Sequence, residues 1–344
     1  MKRSDNRCSE TAMVLPWRAA ATHLGRRVAA SGWREALRAC GAFEWVALTY
    51  LGISGALILI FRKNLPGAAA YSPALAGLAW FALQVGVAAI LIALSWAASR
   101  WPSRGVVFAR HWYPHLFFLF CFEELHFLVH LIFPGWFDRW LIAFDSWLVG
   151  AHPTVWLEQF ARPALNDFMQ MAYITYFLYL IVLGGILYAR DEWRAYWSVM
   201  TSSILAYAIG YVISILFPIE SPYYSLAALQ RVELTGGFFT SLIGLLERFG
   251  RVHGAAFPSA HVSGSFVALL GAWRYRRWLF WVFLPFFLLM LFSTVYGRYH
   301  YIADVLAGLV VGAIGFSWGH RLMDSPGALP SKSGRSHGPN VTLG

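Results

Sequence analysis

The chain has 344 residues, of which 58% are hydrophobic and only 13% are charged, whereas a soluble domain carries about 25% charged residues. This composition excludes a soluble globular enzyme and a disordered chain, and three cysteines are too few for a disulfide framework. The net charge of +10 suggests a nucleic-acid partner, but the distribution of the charges along the chain matters more than their sum.

A membrane-spanning helix needs about 20 apolar residues. Several segments along the chain are apolar enough to supply them. Five of them are free of charged residues: 45–61, 68–99, 168–189, 195–219 and 278–297. Three more carry ionisable groups: 115–133, 259–273 and 299–319. We therefore predict an all-α polytopic membrane protein with about eight transmembrane helices.

The basic residues indicate how the chain is oriented. Alternating spans place 19 of the 27 Lys and Arg on the side of the N-terminus, so the positive-inside rule puts both termini in the cytoplasm. The positive charge then reflects topology and contact with anionic lipid, and we expect no nucleic-acid partner. The expected location is the cell inner membrane, with the sixth and eighth spans beginning at its outer, periplasmic face.

The two ends of the chain carry no spans. Residues 1–42 hold eight Lys and Arg but lack the apolar core and cleavage site of a removable signal peptide, which predicts a basic cytoplasmic segment. Residues 321–344 are rich in Gly, Ser and Pro, which predicts a disordered cytoplasmic tail.

Two segments on the predicted outer side do not span the membrane. Residues 134–163 mix tryptophans with charged side chains, a pattern typical of helices that lie in the interface. Residues 218–257 include a predicted amphipathic helix near 238–249. We expect both segments to cover a site at the membrane surface.

Ionisable residues near the ends of apolar helices mark the candidate chemistry, because such groups are costly in a membrane unless they have partners. Pro258 and Ser259 are typical helix-start residues, and they place His261 in the first turn of the sixth span. His300 and Asp304 are four residues apart at the start of the eighth span, so we expect them to share a helix face.

These residue types together suit phosphate chemistry. A carboxylate that accepts one imidazole N–H leaves the other nitrogen as an oriented lone pair, which is what a nucleophile needs. Arg298 adds a forked cation for phosphate oxygens, and backbone N–H groups at the two helix starts add anion affinity. The predicted topology puts all of them on one membrane face, which favours a phosphate-processing site over isolated polar links between helices.

The motifs also resemble those of a known family. Pro258-Ser259-Ala260-His261, followed by His300-x-x-x-Asp304, resembles the second and third signatures of the type 2 phosphatidic acid phosphatase superfamily. The resemblance covers about residues 112–319. It implies a six-helix catalytic membrane core over residues 112–320, to which residues 43–111 add two further transmembrane helices.

The resemblance implies a role for each matched residue. His300 is the expected nucleophile, which forms a phosphohistidine, and Asp304 orients it. His261 is the expected general acid for the leaving alcohol, and Ser259 with the adjacent N–H groups is expected to bind phosphate. The family implies neither a metal nor another cofactor.

The chain departs from the family pattern at two places. Ser293 matches the serine that begins the third signature, but Thr294 stands where the family has arginine, so we predict Ser259, Thr294 and Arg298 as the phosphate-binding residues. The first signature, a lysine ahead of an Arg-Pro pair, is absent from residues 217–224. These departures make the chain more similar to the branch that contains the inositol phosphorylceramide synthases, which move a phosphorylated head group between lipids.

Secondary candidates lie outside the two signatures. In the third span Glu123, His126 and His130 have the spacing of one helix face, which suits a polar link between helices, a substrate contact or, less well, half of a metal site. We take His126 and His130, together with Tyr223 and Tyr224, as candidates for the substrate or acceptor pocket.

Two further groups have simple structural interpretations. Asn166 and Asp167 open the fourth span and are interpreted as its cap, with substrate binding as the alternative. Gly308 and Gly312 are spaced to let another helix approach closely.

The sequence thus predicts a metal-independent membrane-embedded lipid phosphatase or phosphotransferase that acts on a lipid phosphate or phosphodiester. One outcome is transfer of a phosphoinositol-like head group to a lipid acceptor, and the other is hydrolysis of phosphatidate or a polyprenyl (pyro)phosphate. Membrane lipids are the expected substrate and acceptor. A lipid transporter and a catalytically dead scaffold remain alternatives, and the sequence does not indicate an oligomeric state.

Overall fold

The computed structural model describes residues 32–66, 72–250, 252–325 and 328–329, so most of the predicted basic segment and disordered tail lies outside the described residues. Its longer helices in chain order are α1 (Ala42–Ile60), α2 (Pro73–Arg100), α3 (Arg104–Leu128), α4 (Asp138–Val149), α5 (Pro163–Ile174), α6 (Tyr176–Ala189), α7 (Trp193–Leu216), α8 (Phe238–Gly250), α9 (Ala260–Tyr275), α10 (Arg277–Tyr296) and α11 (Ile302–Asp324). The described residues contain no β-strand beyond one isolated bridge between Ile219 and Ala255. The all-α membrane fold is confirmed.

Six helices of the described chain are long and apolar enough to cross a membrane: α1, α2, the pair α5 and α6, α7, α10 and α11. The two other predicted spans are present as helices, α3 and α9, but do not meet that standard. Helix α9 has 16 residues, about 24 Å, whereas a hydrocarbon core is about 30 Å thick. Helix α3 carries Arg104, Arg110, Glu123 and Glu124 among its apolar residues. Both are among the three predicted spans with ionisable groups, of which only α11 is long and apolar enough to cross a membrane.

The fourth predicted span begins at Pro163, five residues earlier than expected, because proline occupies the first helical position. Helices α5 and α6 together cover 27 residues and are separated only at Thr175. Asn166 and Asp167 therefore do not cap this helix, and that interpretation was wrong. The Asp167 carboxylate instead accepts hydrogen bonds from the backbone N–H and the hydroxyl of Thr240 at the start of α8, at 2.9 and 3.1 Å.

Helix α7 lies at the centre of the bundle, in contact with α1, α3, α6, α9 and α11. Glycines on α11 permit its close contacts. A Cβ atom at Gly308 would lie 2.7 Å from the carbonyl oxygen of Ser259, and one at Gly319 would lie 2.5 Å from the Cα of Ser202. The predicted packing role of the glycine spacing is confirmed, and it brings the start of α9 against the first turns of α11.

Helix α4 lies at the end of the bundle where α11 begins, since its Asp145 accepts the N–H groups of Ile302 and Ala303. Its carboxylates Asp138 and Asp145 are buried, while Trp140 and Trp147 on its other side are 61% and 78% exposed. An amphipathic helix with an exposed aromatic face is typical of the membrane interface. We call this end of the molecule the site end.

Candidate active site

Helix α9 presents His261 from its first turn. Ser259 is the N-cap, and its hydroxyl accepts a hydrogen bond from the N–H of Val262 at 3.3 Å. Such a cap satisfies one of the free N–H groups that begin every helix. The predicted helix start is confirmed, and it places the imidazole of His261 at the site end.

His300 lies just before α11, in the loop between α10 and α11. The carbonyl oxygen of Thr294, near the end of α10, accepts hydrogen bonds from the N–H groups of Tyr299 and His300 at 3.0 and 3.1 Å. The Asp304 carboxylate turns back to accept the N–H of Tyr301 at 2.8 Å. Both ends of this loop are therefore fixed by hydrogen bonds, and the backbone of His300 is held between them.

His300 and Asp304 are in contact, as predicted, but the contact does not arise from a shared helix face. Because α11 begins at Ile302, His300 precedes the helix, and the two residues do not share a helix face. Asp304 occupies the third helical position, from which an acidic side chain commonly reaches back to the residues before the helix. Its Oδ2 lies 3.3 Å from Nδ1 of His300, so the carboxylate accepts that N–H.

The two histidines are in direct contact. Nδ1 of His261 lies 3.0 Å from Nε2 of His300. Since Nδ1 of His300 donates to Asp304, its Nε2 carries the lone pair, and the bridging proton must belong to His261. Nε2 of His261 in turn lies 3.2 Å from the hydroxyl of Tyr173 on α5. The result is one continuous chain of four side chains from Tyr173 to Asp304.

Aromatic rings surround the histidine pair. The ring of Tyr299 stacks on Tyr173 at 4.2 Å between centroids, and the ring of Tyr176 meets His261 edge to face at 4.3 Å. Tyr173 and Tyr176 lie on either side of the break at Thr175, and both rings contact His261 on α9. The contact of Tyr173 with His261 could not be found from the sequence, because no local spacing links residues 88 positions apart.

The predicted phosphate-binding residues Ser259 and Thr294 are engaged within the protein. Both are fully buried. The hydroxyl of Ser259 caps α9, and its N–H donates to the carbonyl oxygen of Asp304 at 3.1 Å. The hydroxyl of Thr294 donates to the carbonyl oxygen of Leu291 at 2.7 Å. Their contacts with phosphate remain a prediction, while their visible contacts hold the two histidine-bearing segments.

Arg298 points to a different set of partners from the histidines. Its guanidinium is paired with the carboxylate of Glu158 at 2.8 Å and also donates to the side chain of Gln230 at 3.2 Å and the carbonyl oxygen of Val232 at 2.6 Å. Burial lowers the pKa of Arg298, and the nearby Glu158 carboxylate opposes that effect. Phosphate binding by Arg298, as predicted, would have to compete with this ion pair.

The start of α11 is already occupied by a carboxylate. Asp145 on α4 accepts hydrogen bonds from the N–H groups of Ile302 and Ala303 at 2.9 and 3.1 Å. Burial raises the pKa of Asp145, and these two N–H groups oppose the rise. The expectation that free N–H groups at both helix starts attract phosphate was therefore wrong for α11, because a distant acidic residue has taken them.

Asp138 ties a second loop to the same region. Its carboxylate accepts the N–H groups of Glu220 and Ser221 at 2.9 and 3.3 Å and the hydroxyl of Tyr301 at 2.9 Å. Helix α4 thus holds the loop after α7 and the loop before α11 with its two buried carboxylates. This agrees with the expectation that residues 134–163 cover the site.

The candidate residues of the third span have other contact partners than the histidine pair. Helix α3 ends at Leu128, so His130 follows the helix and does not share a face with Glu123 and His126; that prediction was wrong. His130 instead donates from Nδ1 to the carbonyl oxygen of Phe133 at 3.0 Å. His126 lies 3.6 Å from Glu123 and lines a cleft of about 500 Å³ between α2 and α3.

Tyr223 and Tyr224 belong to an aromatic row at the site end. The ring of Tyr224 contacts His253 at 4.3 Å, and His253 contacts Trp136 at 4.9 Å. Trp136 in turn contacts His130 at 4.3 Å. The row connects three of the predicted pocket residues, and the ring of Tyr223 is 44% exposed at one end of it.

Within the part of the chain that the structure describes, no three His, Cys, Asp or Glu side chains form a group that could hold a metal ion. Chemistry without a metal remains a prediction.

Comparison with known proteins gives one match. The family model of the PAP2 superfamily matches residues 139–318, slightly more than half of the chain. The matched range extends from α4 into α11 and includes His261, His300 and Asp304. Neither a curated protein nor a solved structure matches the chain.

Proposed function

The chain belongs to the PAP2 superfamily, and from that premise we propose that it is a membrane-embedded lipid phosphatase or phosphotransferase in which His300 forms a phosphohistidine. Family membership and the six apolar helices support a phosphatase-type enzyme of the membrane. The observation that carries the finer proposal is the chain from His261 through His300 to Asp304, with contacts of 3.0 and 3.3 Å.

Substrate entry has to separate the two histidines. A nucleophile and the atom that it attacks approach to about 3–3.5 Å before reaction. In the structure, Nδ1 of His261 occupies that position against the lone pair of His300 at 3.0 Å. An entering phosphate group therefore takes the place of His261 at Nε2 of His300, and the N–H of His261 turns to a phosphate or leaving-group oxygen.

The proposed reaction then has two halves. In the first, Nε2 of His300 attacks phosphorus, the bond from phosphorus to the leaving oxygen breaks, and His261 protonates that oxygen. Asp304 accepts the N–H of His300, so it stabilises the positive charge that the ring gains. In the second, water or an acceptor hydroxyl gives a proton to His261 and attacks phosphorus, which releases His300.

The first turn of α9 is the proposed contact for the phosphate oxygens. Ala260 and His261 supply the first two backbone N–H groups of this helix, and no described residue accepts them. The N–H groups at a helix start favour an anion. The corresponding groups of α11 are occupied by Asp145, so we assign this contact to α9 alone.

The first experiment measures products from purified protein incubated with a panel of labelled phospholipids and polyprenyl phosphates, with and without ceramide or other hydroxylated lipids. Phosphate release that does not depend on an acceptor would identify a phosphatase. A new phosphodiester lipid that appears only with acceptor would identify a transferase, as the similarity to the inositol phosphorylceramide synthase branch suggests. His320→Ala, at the opposite end of α11 from His300, is the matched control for His300→Ala.

We further propose that the protein lies in the cell inner membrane with both termini in the cytoplasm and the site at the outer face. Gly135, in the exposed loop between α3 and α4, and Arg190, exposed after α6, lie at opposite ends of the helices. In intact cells, a membrane-impermeant thiol reagent should label Gly135→Cys and not Arg190→Cys, in a background without Cys8. Labelling of Arg190→Cys alone would reverse the orientation.

The same purified protein and lipid panel distinguish an enzyme from a lipid transporter and from an inactive scaffold. A lipid transporter or an inactive scaffold would yield neither phosphate nor a new phosphodiester from any lipid of the panel. Turnover that His300→Ala abolishes, while His320→Ala retains it, excludes both.

A further inference from the structure

We propose that Tyr173 is the positioning residue of His261, and this inference rests on the proposed function of the histidine pair. Tyr173 lies on α5, outside both signature segments, and its hydroxyl is 3.2 Å from Nε2 of His261. Its ring is 7% exposed. No other described side chain hydrogen-bonds to that nitrogen of His261.

The ring of Tyr173 is itself held in place. Tyr299 stacks on it at 4.2 Å with an angle of 16° between the planes, and the hydroxyl of Tyr299 donates to the side chain of Gln170 at 2.8 Å. Tyr299 directly precedes His300 in the chain. The stacked pair thus connects Tyr299, which precedes His300, with Tyr173, whose hydroxyl binds Nε2 of His261.

Proton balance explains what this hydrogen bond does. To protonate a leaving oxygen from Nδ1, His261 must carry protons on both nitrogens. A neutral imidazole that gave up its single N–H proton would become a strongly basic anion. In that cation Nε2 is a donor, and the hydroxyl oxygen of Tyr173 accepts its N–H. After Nδ1 has passed its proton to the leaving oxygen, Nε2 keeps its own proton and remains bound to Tyr173.

The same hydroxyl also serves the resting enzyme. In the neutral ring, Nδ1 carries the proton toward His300, so Nε2 is an acceptor and Tyr173 donates to it. A hydroxyl group can act in both directions, whereas a phenylalanine ring can act in neither. Tyr173 therefore holds His261 in one orientation through both protonation states and stabilises the cationic one.

The kinetic test compares Tyr173→Phe with Tyr179→Phe. Tyr179 lies on α6 of the same span and is also buried, but its hydroxyl is 3.2 Å from the hydroxyl of Thr175 and binds no histidine. We expect Tyr173→Phe to lower kcat about tenfold and to move the alkaline limb of the kcat profile down by about one pH unit, because the cation loses a hydrogen-bond acceptor. KM should change less than about twofold.

Tyr179→Phe should leave the alkaline limb in place. A loss of kcat in Tyr173→Phe with an unmoved limb, or an equal shift of the limb in both variants, would reduce Tyr173 to a packing residue and overturn the proposal.

A second readout needs no substrate and so separates this inference from the proposed function. In detergent-purified protein labelled with ¹⁵N-histidine, the signals of His261 are identified by their loss in His261→Gln. We expect the Nε2 shift of His261 to change in Tyr173→Phe while that of the distant His320 stays constant. Identical His261 signals in wild type and Tyr173→Phe would contradict the proposal even if no lipid substrate had been found.

Discussion

Two clusters of polar side chains share the short segment from residue 298 to residue 304, and their partners differ. The inner cluster comprises His261, His300 and Asp304. The two imidazole rings contact each other, and the ring of His300 also contacts the carboxylate of Asp304. The outer cluster comprises Arg298, Glu158 and Gln230, a charged pair completed by an amide. The inner cluster can receive a substrate by moving one imidazole, whereas the outer cluster would have to break an ion pair.

From this difference we propose that His300 does the chemistry and that Arg298 holds the loop. Arg298 has a positive φ of 65°, an unusual backbone conformation for a residue other than glycine. Its guanidinium connects this strained position to residues 158, 230 and 232. We interpret the outer cluster as the support that fixes the segment, so that His300, two residues later, faces His261.

Catalysis should fall furthest when His300 is removed from the inner cluster. His300→Ala should reduce kcat by about 10⁴-fold or more, because the nucleophile is removed. A cooperative thermal unfolding transition should show that the variant is still folded, so that the loss of kcat is not a loss of structure. Comparable activity of His300→Ala and His320→Ala would show that the inner cluster is not the reaction centre.

The outer cluster should show the opposite pattern. Glu158→Gln leaves the buried Arg298 cation without its partner, and breaking a buried ion pair in this way costs about 3–5 kcal/mol of stability. We expect the free energy of unfolding to fall by about that amount and KM for a phosphate substrate to stay unchanged. A several-fold lower KM would instead show that Glu158 competes with phosphate for Arg298, which would make Arg298 a phosphate-binding residue after all.

Asp304→Asn should weaken catalysis without removing the nucleophile. The amide has almost the shape of the carboxylate but can no longer stabilise a positive imidazole. We expect kcat to fall about 10²-fold, with normal folding as measured by thermal unfolding. Full activity in Asp304→Asn would indicate that the carboxylate only completes the start of α11 by accepting the N–H of Tyr301.

The smallest of these effects tests how the two segments are held together. In Gly308→Ala the new methyl group would lie 2.7 Å from the carbonyl oxygen of Ser259, so α9 must move away from α11. We expect a loss of about 1–3 kcal/mol in unfolding free energy and a weaker contact between the histidines, with lower kcat.

Gly244→Ala on α8 is the matched control, because nothing lies within 4 Å of its Cβ position. In an exposed helix this change should be neutral or slightly stabilising. Equal effects of the two substitutions on kcat would contradict a role for close helix contact in the site.

The inner cluster could be predicted from the sequence because its residues lie in two short segments at helix starts. Ser259 marks the cap of α9, and the spacing of His300 and Asp304 gives their contact, although α11 begins after His300. That the two residues do not share a helix face could not be predicted, since that depends on the residue at which the helix starts. The helices themselves followed from runs of apolar residues.

The outer cluster and the caps could not be predicted in the same way. Arg298 meets Glu158 across 140 positions, and Asp145 meets Ile302 across 157. A single sequence shows that a cation and several acids are present but not which of them pair after folding. The contact between Tyr173 and His261 escaped prediction for the same reason.

The most direct test of the proposed phosphohistidine mechanism is to trap the phosphorylated enzyme. Protein is quenched in alkali within its first turnover of a labelled lipid phosphate, digested, and mapped by mass spectrometry with soft fragmentation, since phosphohistidine survives alkali and is lost in acid. We expect one phosphorylated peptide, modified at His300 and absent from His300→Ala. Turnover with phosphate on His261 or another residue, or turnover with no covalent phosphate at all, would contradict it.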